Sequence, residues 1–189
     1  MNPVSIIRKY YTPETVAYKF LVQHSEMVTQ KAIEVAERVK HLNLVESSLR
    51  PDIEFIREAA MLHDIGIFLT NAPQLGCHGN KPYICHGYLG REILEKEGYP
   101  KHAIVCETHV GAGLSIADIE KHNFPIPKRD MMPTTIEEKI ICFADKFFSK
   151  DNEPLKEKPI QKIREFIAKF GEEKLRQFDE WVKLFGSSD

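Results

Sequence analysis

Six histidine and aspartate residues lie where predicted helices face the interior of the protein. His24 lies four residues after Phe20 and four before Val28, on the apolar stripe of the first long predicted helix. Asp145 follows Ile141 by four residues on a later helix. Burying an unpaired polar or charged group costs several kcal/mol, and one metal ion can partner several such groups. We therefore predict a buried metal site. Its candidate ligands are His24, His63, Asp64, His86, His109 and Asp145.

Two of these candidates, His63 and Asp64, are adjacent in the chain. Neighbouring side chains on a regular helix point about 100° apart, so they do not normally contact one ion. Gly66 follows at the expected end of the helix, where a turn of the backbone would let both side chains converge. A glycine at this position is also an ordinary helix stop.

The elements that must position these residues are predicted to be helices. Apolar residues recur with a period close to 3.6, and no convincing period-2 strand is present. The polar segments 69–85 and 110–133 interrupt the helices, and loops of this length are commonly functional. We predict an all-α fold with a single domain over 1–189, a core over about 13–150 and a helical tail over about 155–186. The expected helices cover 13–40, 51–62, about 86–98, 100–108, 136–148 after a capping box of Thr134 and Glu137, and 159–184 with a break at Gly171.

Composition excludes several classes of function. The chain has 189 residues and a net charge of −2, which argues against a general nucleic-acid coat or a polybasic membrane binder. No apolar run reaches the roughly 20 residues that span a bilayer, and the first residues lack the apolar region of a signal peptide. The four cysteines form no CxxC pair. We expect a cytoplasmic protein with reduced thiols.

The motifs around the candidate ligands resemble the HD-domain metal-dependent phosphohydrolases. The resemblance covers roughly residues 20–150 and depends on an early helical histidine, an His-Asp doublet and a distant aspartate. It is most specific in the two runs Leu62-His63-Asp64-Ile65-Gly66 and Phe143-Ala144-Asp145-Lys146. Two further histidines match the subset of the family that holds two metals, and their spacing is most similar to bacterial HD hydrolases of dinucleoside polyphosphates.

This resemblance implies how the ligands are shared between two ions. One ion would be held by His24, His63, Asp64 and Asp145. The second would be held by His86 and His109, with Asp64 bridging. Imidazole and carboxylate ligands suit iron, manganese, cobalt, nickel or zinc without selecting one of them.

The predicted chemistry is hydrolysis of a phosphoester or phosphoanhydride bond in a small phosphorylated molecule, and the expected molecule is a nucleotide. Metal ions lower the pKa of bound water to about 7 and so supply hydroxide at neutral pH. Asp64 and Lys146 are the predicted catalytic residues, and the alternative for Lys146 is a solvated lysine. Predicted substrate contacts on the long loops, where exposed cations are also ordinary, are Lys81, Lys128 and Arg129.

Several alternatives stay open at this stage. Some proteins of this fold use a di-iron pair and O₂ as oxygenases with the same ligand types. A non-catalytic module that senses a nucleotide would also keep the fold. Glu107 is a partner that orients a ligand, a proton shuttle or a solvent-facing helix residue. The aromatic residues of the tail are expected in the core or in a homodimer contact.

Overall fold

A computed structural model describes residues 1–41, 50–150 and 156–186 of the chain and shows an all-α fold, as predicted. The ends of most helices differ from the expected ones by a few residues. The α-helices in these ranges are α1 (Pro3–Tyr10), α2 (Val16–His41), α3 (Ile53–Leu62), α4 (His86–Lys96), α5 (Pro100–Thr108), α6 (Ile116–Lys121), α7 (Ile136–Asp145), α8 (Ile160–Ile167) and α9 (Glu172–Phe185).

The longest helix, α2, lies against α3, α7 and α9. Its buried face carries Val28, Ala32 and Val35, which pack in the main core beside Ile56 of α3. The helix begins at Val16 rather than at the expected proline, because the hydroxyl of Thr15 accepts the Tyr18 N–H (3.2 Å). Local capping therefore sets the first turn.

The C-terminal helices complete the same core. Phe178 and Phe185 of α9 pack on Phe143 of α7, with ring centroids 5.7 and 5.5 Å away, and Trp181 is buried beside them. The prediction that tail aromatics lie in the core is confirmed for these residues. Helix α8 is fixed by Ile163, which is only 2% exposed.

The two long interruptions contain more structure than expected. Strand β1 (Asn71–Ala72) pairs antiparallel with β2 (Cys77–His78), in the register Asn71 with His78 and Ala72 with Cys77. The prediction that no strand is present was wrong here, because two-residue strands are too short to show a period. Gly76 adopts φ +73° in the turn between them. The second interruption contains α6, which Ser115 and Asp118 begin with a capping box.

Three further features of the helices differ from the expectations. Helix α1, capped by Asn2, was not expected. The N-cap of α7 is Thr135, whose hydroxyl accepts the Glu138 N–H, so the capping pair lies one residue later than Thr134 and Glu137. Helix α7 ends at Asp145 instead of continuing to 148. Within the described ranges, no helix has the length and apolarity required to cross a bilayer.

Candidate metal centre

The six predicted ligands meet in the interior, where five helices converge. His24 lies in the middle of α2, and Asp145 is the last residue of α7. The other four lie at helix ends: His63 and Asp64 directly after α3, His86 at the start of α4, and His109 directly after α5. All six side chains are buried.

Four of these residues form a first group around one oxygen of Asp64. Asp64 Oδ2 lies 3.3 Å from His24 Nε2 and 3.3 Å from His63 Nε2. Asp145 Oδ1 lies 3.0 Å from the same atom of His24 and 3.4 Å from that of His63. The ligand atoms of this group all lie within 4.8 Å of one another.

A second group forms around the other oxygen of the same carboxylate. Asp64 Oδ1 lies 3.4 Å from His86 Nε2 and 3.3 Å from His109 Nε2. The two Nε2 atoms are 3.2 Å apart. Asp64 therefore contacts both groups, as a carboxylate that bridges two ions would.

The spacing of these atoms fits metal coordination. Donor atoms about 2.0–2.2 Å from one ion and about 90–110° apart lie roughly 2.8–3.6 Å from each other. The neighbouring donor atoms given above are 3.0–3.4 Å apart. In addition, His63 Nε2 and Asp64 Oδ1 are buried and have no hydrogen bond in the structure. A cation between these atoms would satisfy them.

The tautomers of three histidines point to the same chemistry. His63, His86 and His109 each place Nδ1 2.6–2.7 Å from a backbone carbonyl oxygen three residues earlier. A carbonyl only accepts, so each Nδ1 carries the hydrogen, and a neutral ring turns the lone pair of Nε2 to the centre. The accepting carbonyls belong to Ala60, Tyr83 and Cys106.

The pKa values divide these histidines into two kinds. Burial lowers the pKa of His86 to about 3 and that of His109 to about 4, so both rings are neutral and their lone pairs face each other. Burial also opposes the charge on His63, but the carboxylates of Asp64 and Asp145 raise its pKa to about 9. The metal-free site thus holds a proton on one histidine that a metal ion would replace.

The convergence of His63 and Asp64 has a different cause from the one predicted. His63 keeps helical angles, whereas Asp64 has φ −104° and ψ 11°, and a 3₁₀ helix (Ile65–Leu69) starts directly after it. The backbone therefore changes direction at Asp64 itself. Gly66 serves another purpose: a Cβ there would lie 2.3 Å from the carbonyl oxygen of His86, so only glycine lets this turn pack against α4.

The His-Asp doublet and its distant aspartate thus share one buried site, and comparison with known proteins agrees with it. The family model described as HD domain matches residues 21–149, more than half of the chain. The chain belongs to the HD-domain family. The predicted membership is confirmed at this level, while the finer resemblance to dinucleoside polyphosphate hydrolases stays a prediction.

Several relatives share part of this HD domain. An uncharacterized protein of Methanocaldococcus jannaschii is 36% identical over 126 residues, which cover 66% of this chain and 64% of that protein. A protein of Thermoplasma volcanium named tRNA (cytidine(56)-2'-O)-methyltransferase is 28% identical over 136 residues, 71% of this chain and 33% of that protein. A protein of the same name from Picrophilus torridus is 30% identical over 132 residues, 69% of this chain and 32% of that protein. The chain thus spans about two thirds of the first relative and about one third of the other two. No solved structure matches the chain.

Lys146 of the HD domain is part of the buried site. Its Nζ donates to Asp145 Oδ2 (2.6 Å) and to the backbone carbonyl of His109 (3.1 Å). Its side chain is 9% exposed, so the alternative of a solvated lysine is wrong. The ammonium holds one oxygen of Asp145 while the other faces the histidines.

Lys150 is a second cation at the centre, and the sequence analysis missed it. Its Nζ lies 2.6 Å from Asp64 Oδ2 and 3.7 Å from Asp145 Oδ1. Burial disfavours this ammonium, but the two carboxylates raise its pKa well above the usual range. The same contact helps to lower the pKa of Asp64, against the effect of burial. The only sequence signal was its place four residues after Lys146, beyond the end of α7.

The structure places the three predicted loop cations away from this centre. Lys81 is exposed beside the small sheet, and Lys128 pairs with Glu120 at the surface (3.3 Å). Arg129 binds Glu107. No observation tests their predicted role in substrate binding, and none of the three lines the cavity at the centre.

Glu107 is buried, so the solvent-facing alternative is wrong. Its Oε2 accepts from Arg91 of α4 (2.6 Å), and its Oε1 accepts from Arg129 (3.0 Å from Nε). One carboxylate therefore ties the segment 110–133 to α4 and α5, two residues before His109.

A cavity of about 500 Å³ extends from the metal centre to the C-terminal helices. His86, His109 and Asp145 line one end, and residues of α8 line another side. Cations are prominent in its wall. The lysines that line it are Lys146, Lys150, Lys158, Lys162 and Lys174.

Proposed function

We propose that this HD domain is a metal-dependent phosphohydrolase that cleaves a phosphoester or phosphoanhydride bond in a small molecule. The proposed substrate is a nucleotide. The observation that carries the proposal is the pair of ligand groups that share Asp64 and open into a lysine-lined cavity. A pocket of this size suits a small-molecule ligand. The cationic wall of the cavity suits an anionic ligand.

The residues fit two divalent cations. His24, His63, Asp64 and Asp145 would hold the first, and Asp64, His86 and His109 the second. When bound, such ions lower the pKa of a coordinated water to about 7 and offset the negative charge of a phosphate group. The side chains do not select among iron, manganese, cobalt, nickel and zinc.

The charges of the chain itself prepare the site for phosphate. Asp64 and Asp145 contribute two negative charges, and the ammonium groups of Lys146 and Lys150 balance them. Histidines that bind metal must be neutral. Every cation added to the site therefore leaves a net positive charge, which favours a phosphate dianion at the mouth of the cavity.

Asp64, Lys146 and Lys150 have different roles in the proposed reaction. Asp64 would orient both groups of ligands, since each of its oxygens faces one group. Lys146 holds Asp145 and so positions a ligand. Lys150 is 16% exposed and lines the cavity, so its ammonium can move from Asp64 to a phosphate oxygen without leaving the site.

The finer substrate class remains part of the proposal. The resemblance to bacterial HD hydrolases of dinucleoside polyphosphates favours these substrates, whereas none of the relatives named above is described as such a hydrolase. The names of the two tRNA methyltransferases give no reason to propose methyl transfer for this chain, because the match covers only about a third of each.

A screen of metal against substrate tests the proposal. The purified chain is supplied separately with manganese, iron, cobalt, nickel or magnesium and assayed for hydrolysis of nucleotides, dinucleoside polyphosphates and phosphodiesters by chromatographic separation of the products. Each assay is run with and without oxygen. Metal-dependent hydrolysis that is indifferent to oxygen supports the proposal. Product formation that requires both iron and oxygen would establish the oxygenase alternative, and nucleotide binding without turnover would establish the sensing module.

Asp179→Ala provides a matched control for the metal centre. Asp179 pairs with Arg164 between α8 and α9 and does not line the cavity. The control should keep the turnover of the wild-type chain, whereas a variant at Asp64 should lose it.

A further inference from the structure

We propose that α8 and the turn that follows it form, together with the end of α6, a subsite for the planar base of a nucleoside phosphate. The proposal rests on the proposed function, which places the phosphate at the metal centre. It assigns a recognition role to a segment that lies outside residues 21–149, the part of the chain matched by the HD-domain family.

The first observation is the exposure of two large aromatic side chains inside the cavity. Phe166 and Phe170 line the cavity and are 52% and 39% exposed. Ile163 and Ile167 of α8 line the same cavity but are each only 2% exposed and belong to the main core. The core therefore fixes the helix, and the two phenylalanines are left to face the cavity.

Aromatic rings of the segment that follows α6 also line the cavity. Phe124 and His122, which follow α6, stack with ring centroids 5.2 Å apart, and both line the same cavity. Phe166 and Phe170 form an edge-to-face pair at 5.3 Å. His122 and Phe170 approach to 6.5 Å and so join the two pairs. We call these four residues the aromatic wall.

One ion pair holds the two halves of the wall together. Lys174 of α9 is buried and donates to the backbone carbonyl of Gly113 (2.9 Å), and its Nζ lies 2.8 Å from Asp118 Oδ2 of α6. The C-terminal helices are thus anchored directly to the segment that carries Phe124. The wall is positioned before any ligand arrives.

The order of groups along the cavity indicates which ligand fits. Lys158, Lys162, Phe166 and Phe170 all line it in this order along the chain. Lys158 precedes α8, Lys162 and Phe166 lie one turn apart on α8, and Phe170 ends the 3₁₀ turn that follows. The backbone N–H of Lys158 donates to the carbonyl of Phe147 (2.7 Å), two residues after Asp145, so the lysine end adjoins the metal centre. From Lys162 to Phe166, four residues of α8 add about 6 Å along the helix axis.

Metal ligands, lysines and aromatic rings therefore follow one another along one cavity. A nucleoside phosphate presents the matching sequence of phosphate, sugar and planar base. Aromatic side chains stack on any base through its π face, which makes such a wall tolerant of base identity. An alkyl phosphate would gain from the apolar area but not from the faces of the rings.

The experiment compares two ligands that differ only in the base, AMP and ribose 5-phosphate. Binding is measured by calorimetry to the full metal-free chain in EDTA, where turnover does not interfere. Stacking on aromatic rings is worth about 5- to 150-fold in affinity. We expect AMP to bind the wild-type chain at least fivefold more tightly than ribose 5-phosphate does. The double variant Phe166→Ala/Phe170→Ala should remove this difference and leave the affinity for ribose 5-phosphate unchanged.

Two controls separate stacking from folding and from simple apolar burial. Ile104→Ala removes another exposed apolar side chain, on α5 and outside the cavity, and should change neither affinity. Phe166→Leu/Phe170→Leu keeps apolar area but removes the rings, and it should also abolish the preference for AMP. Saturation transfer from the wild-type protein to the base protons of AMP checks the contact without any substitution.

Equal binding of AMP and ribose 5-phosphate to the wild-type chain would overturn the subsite. An equal effect of the alanine substitutions on both ligands, full AMP affinity in the leucine variant, or tighter binding of hexyl phosphate than of AMP would overturn it as well. The screen of metals against substrates decides the proposed function separately. A chain that hydrolyses phosphates but shows no base preference keeps the hydrolase and loses the subsite.

Discussion

His86 Nε2 and His109 Nε2 face each other at 3.2 Å, and the contacts of the two Nδ1 atoms assign a lone pair to each Nε2. Each ring donates its Nδ1 hydrogen to a backbone carbonyl, and burial keeps both rings neutral. Two lone pairs at this distance repel each other unless a cation lies between them. The second group of ligands is therefore a stronger indication of metal than its small number of residues suggests.

We expect Asp64→Asn to remove metal and activity together. Both oxygens of this carboxylate face ligand groups, and asparagine would replace one oxygen with an amide nitrogen that cannot bind a cation. Loss of a residue that only supports a ligand costs about 10- to 100-fold, so the loss here should be larger. Metal analysis and phosphate release measure the effect, with Asp179→Ala as the control. Full turnover in the variant would contradict the assignment.

His109→Ala should leave the first ion and remove the second. His109 approaches Asp64 Oδ1, whereas His24 and His63 approach the other oxygen. The metal content of the purified variant should fall from two ions per chain to one, while its circular dichroism stays that of the wild type. Two ions retained in the variant would rule out this division of the ligands.

Metal binding should release a proton at neutral pH. In the metal-free chain, the carboxylates of Asp64 and Asp145 overcome the effect of burial and raise the pKa of His63 to about 9, and a bound ion needs the neutral ring. Calorimetry in buffers of different ionisation enthalpy should detect close to one proton per first ion at pH 7. His102→Ala, at a histidine that pairs with Glu58 outside the centre, should not change this number.

The same proton makes the stability of the metal-free fold depend on pH. The folded pKa of His63 lies above its ordinary value of 6.5, so the protonated ring stabilises the fold below about pH 6.5 and this contribution is lost as the pH rises through 9. The stabilisation produced by metal should therefore grow between these pH values. Thermal melts with metal and with EDTA across this range measure it, and a constant difference would contradict the prediction.

Glu107→Gln should destabilise the fold by about 1.5–3 kcal/mol, the usual contribution of hydrogen bonds to charged groups. The buried carboxylate accepts from Arg91 and Arg129, and glutamine keeps the shape but loses the charge. Urea unfolding measures the change. Glu95→Gln is the matched control, because it removes the other, exposed partner of Arg91 and should cost less than about 0.5 kcal/mol.

The sequence predicted the ligands better than it predicted their surroundings. Residues such as His24 lie on helices whose apolar period fixes the buried face, and burial on that face brings them together. The change of direction at Asp64 was expected, but it arises from a 3₁₀ turn, while Gly66 allows close packing against α4. A single sequence cannot separate these two uses of glycine.

Contacts between long side chains were the least predictable part of the site. Lys150 lies beyond the end of α7, where no periodicity indicates direction, and only the fold shows that it reaches Asp64. Arg129 binds Glu107 of α5, a contact that the sequence did not predict. Phe166 follows the amphipathic pattern of a core residue but is 52% exposed in the cavity, whereas Ile163 and Ile167 of the same helix are buried in the core.

Lys150→Met should separate metal binding from phosphate binding. The ammonium lies 2.6 Å from Asp64 Oδ2 and so competes with a cation for that oxygen, which predicts tighter metal binding in the variant. The same ammonium lines the cavity, and its loss should weaken phosphate binding and raise KM with a smaller effect on kcat. Lys162→Met, at another lysine of the cavity that is not placed at the metal ligands, should raise KM without any change in metal affinity. Metal titrations and steady-state kinetics on both variants measure the effects. A Lys150→Met chain with weaker metal binding would mean that the lysine supports the ligands, and an unchanged KM would remove it from the substrate site.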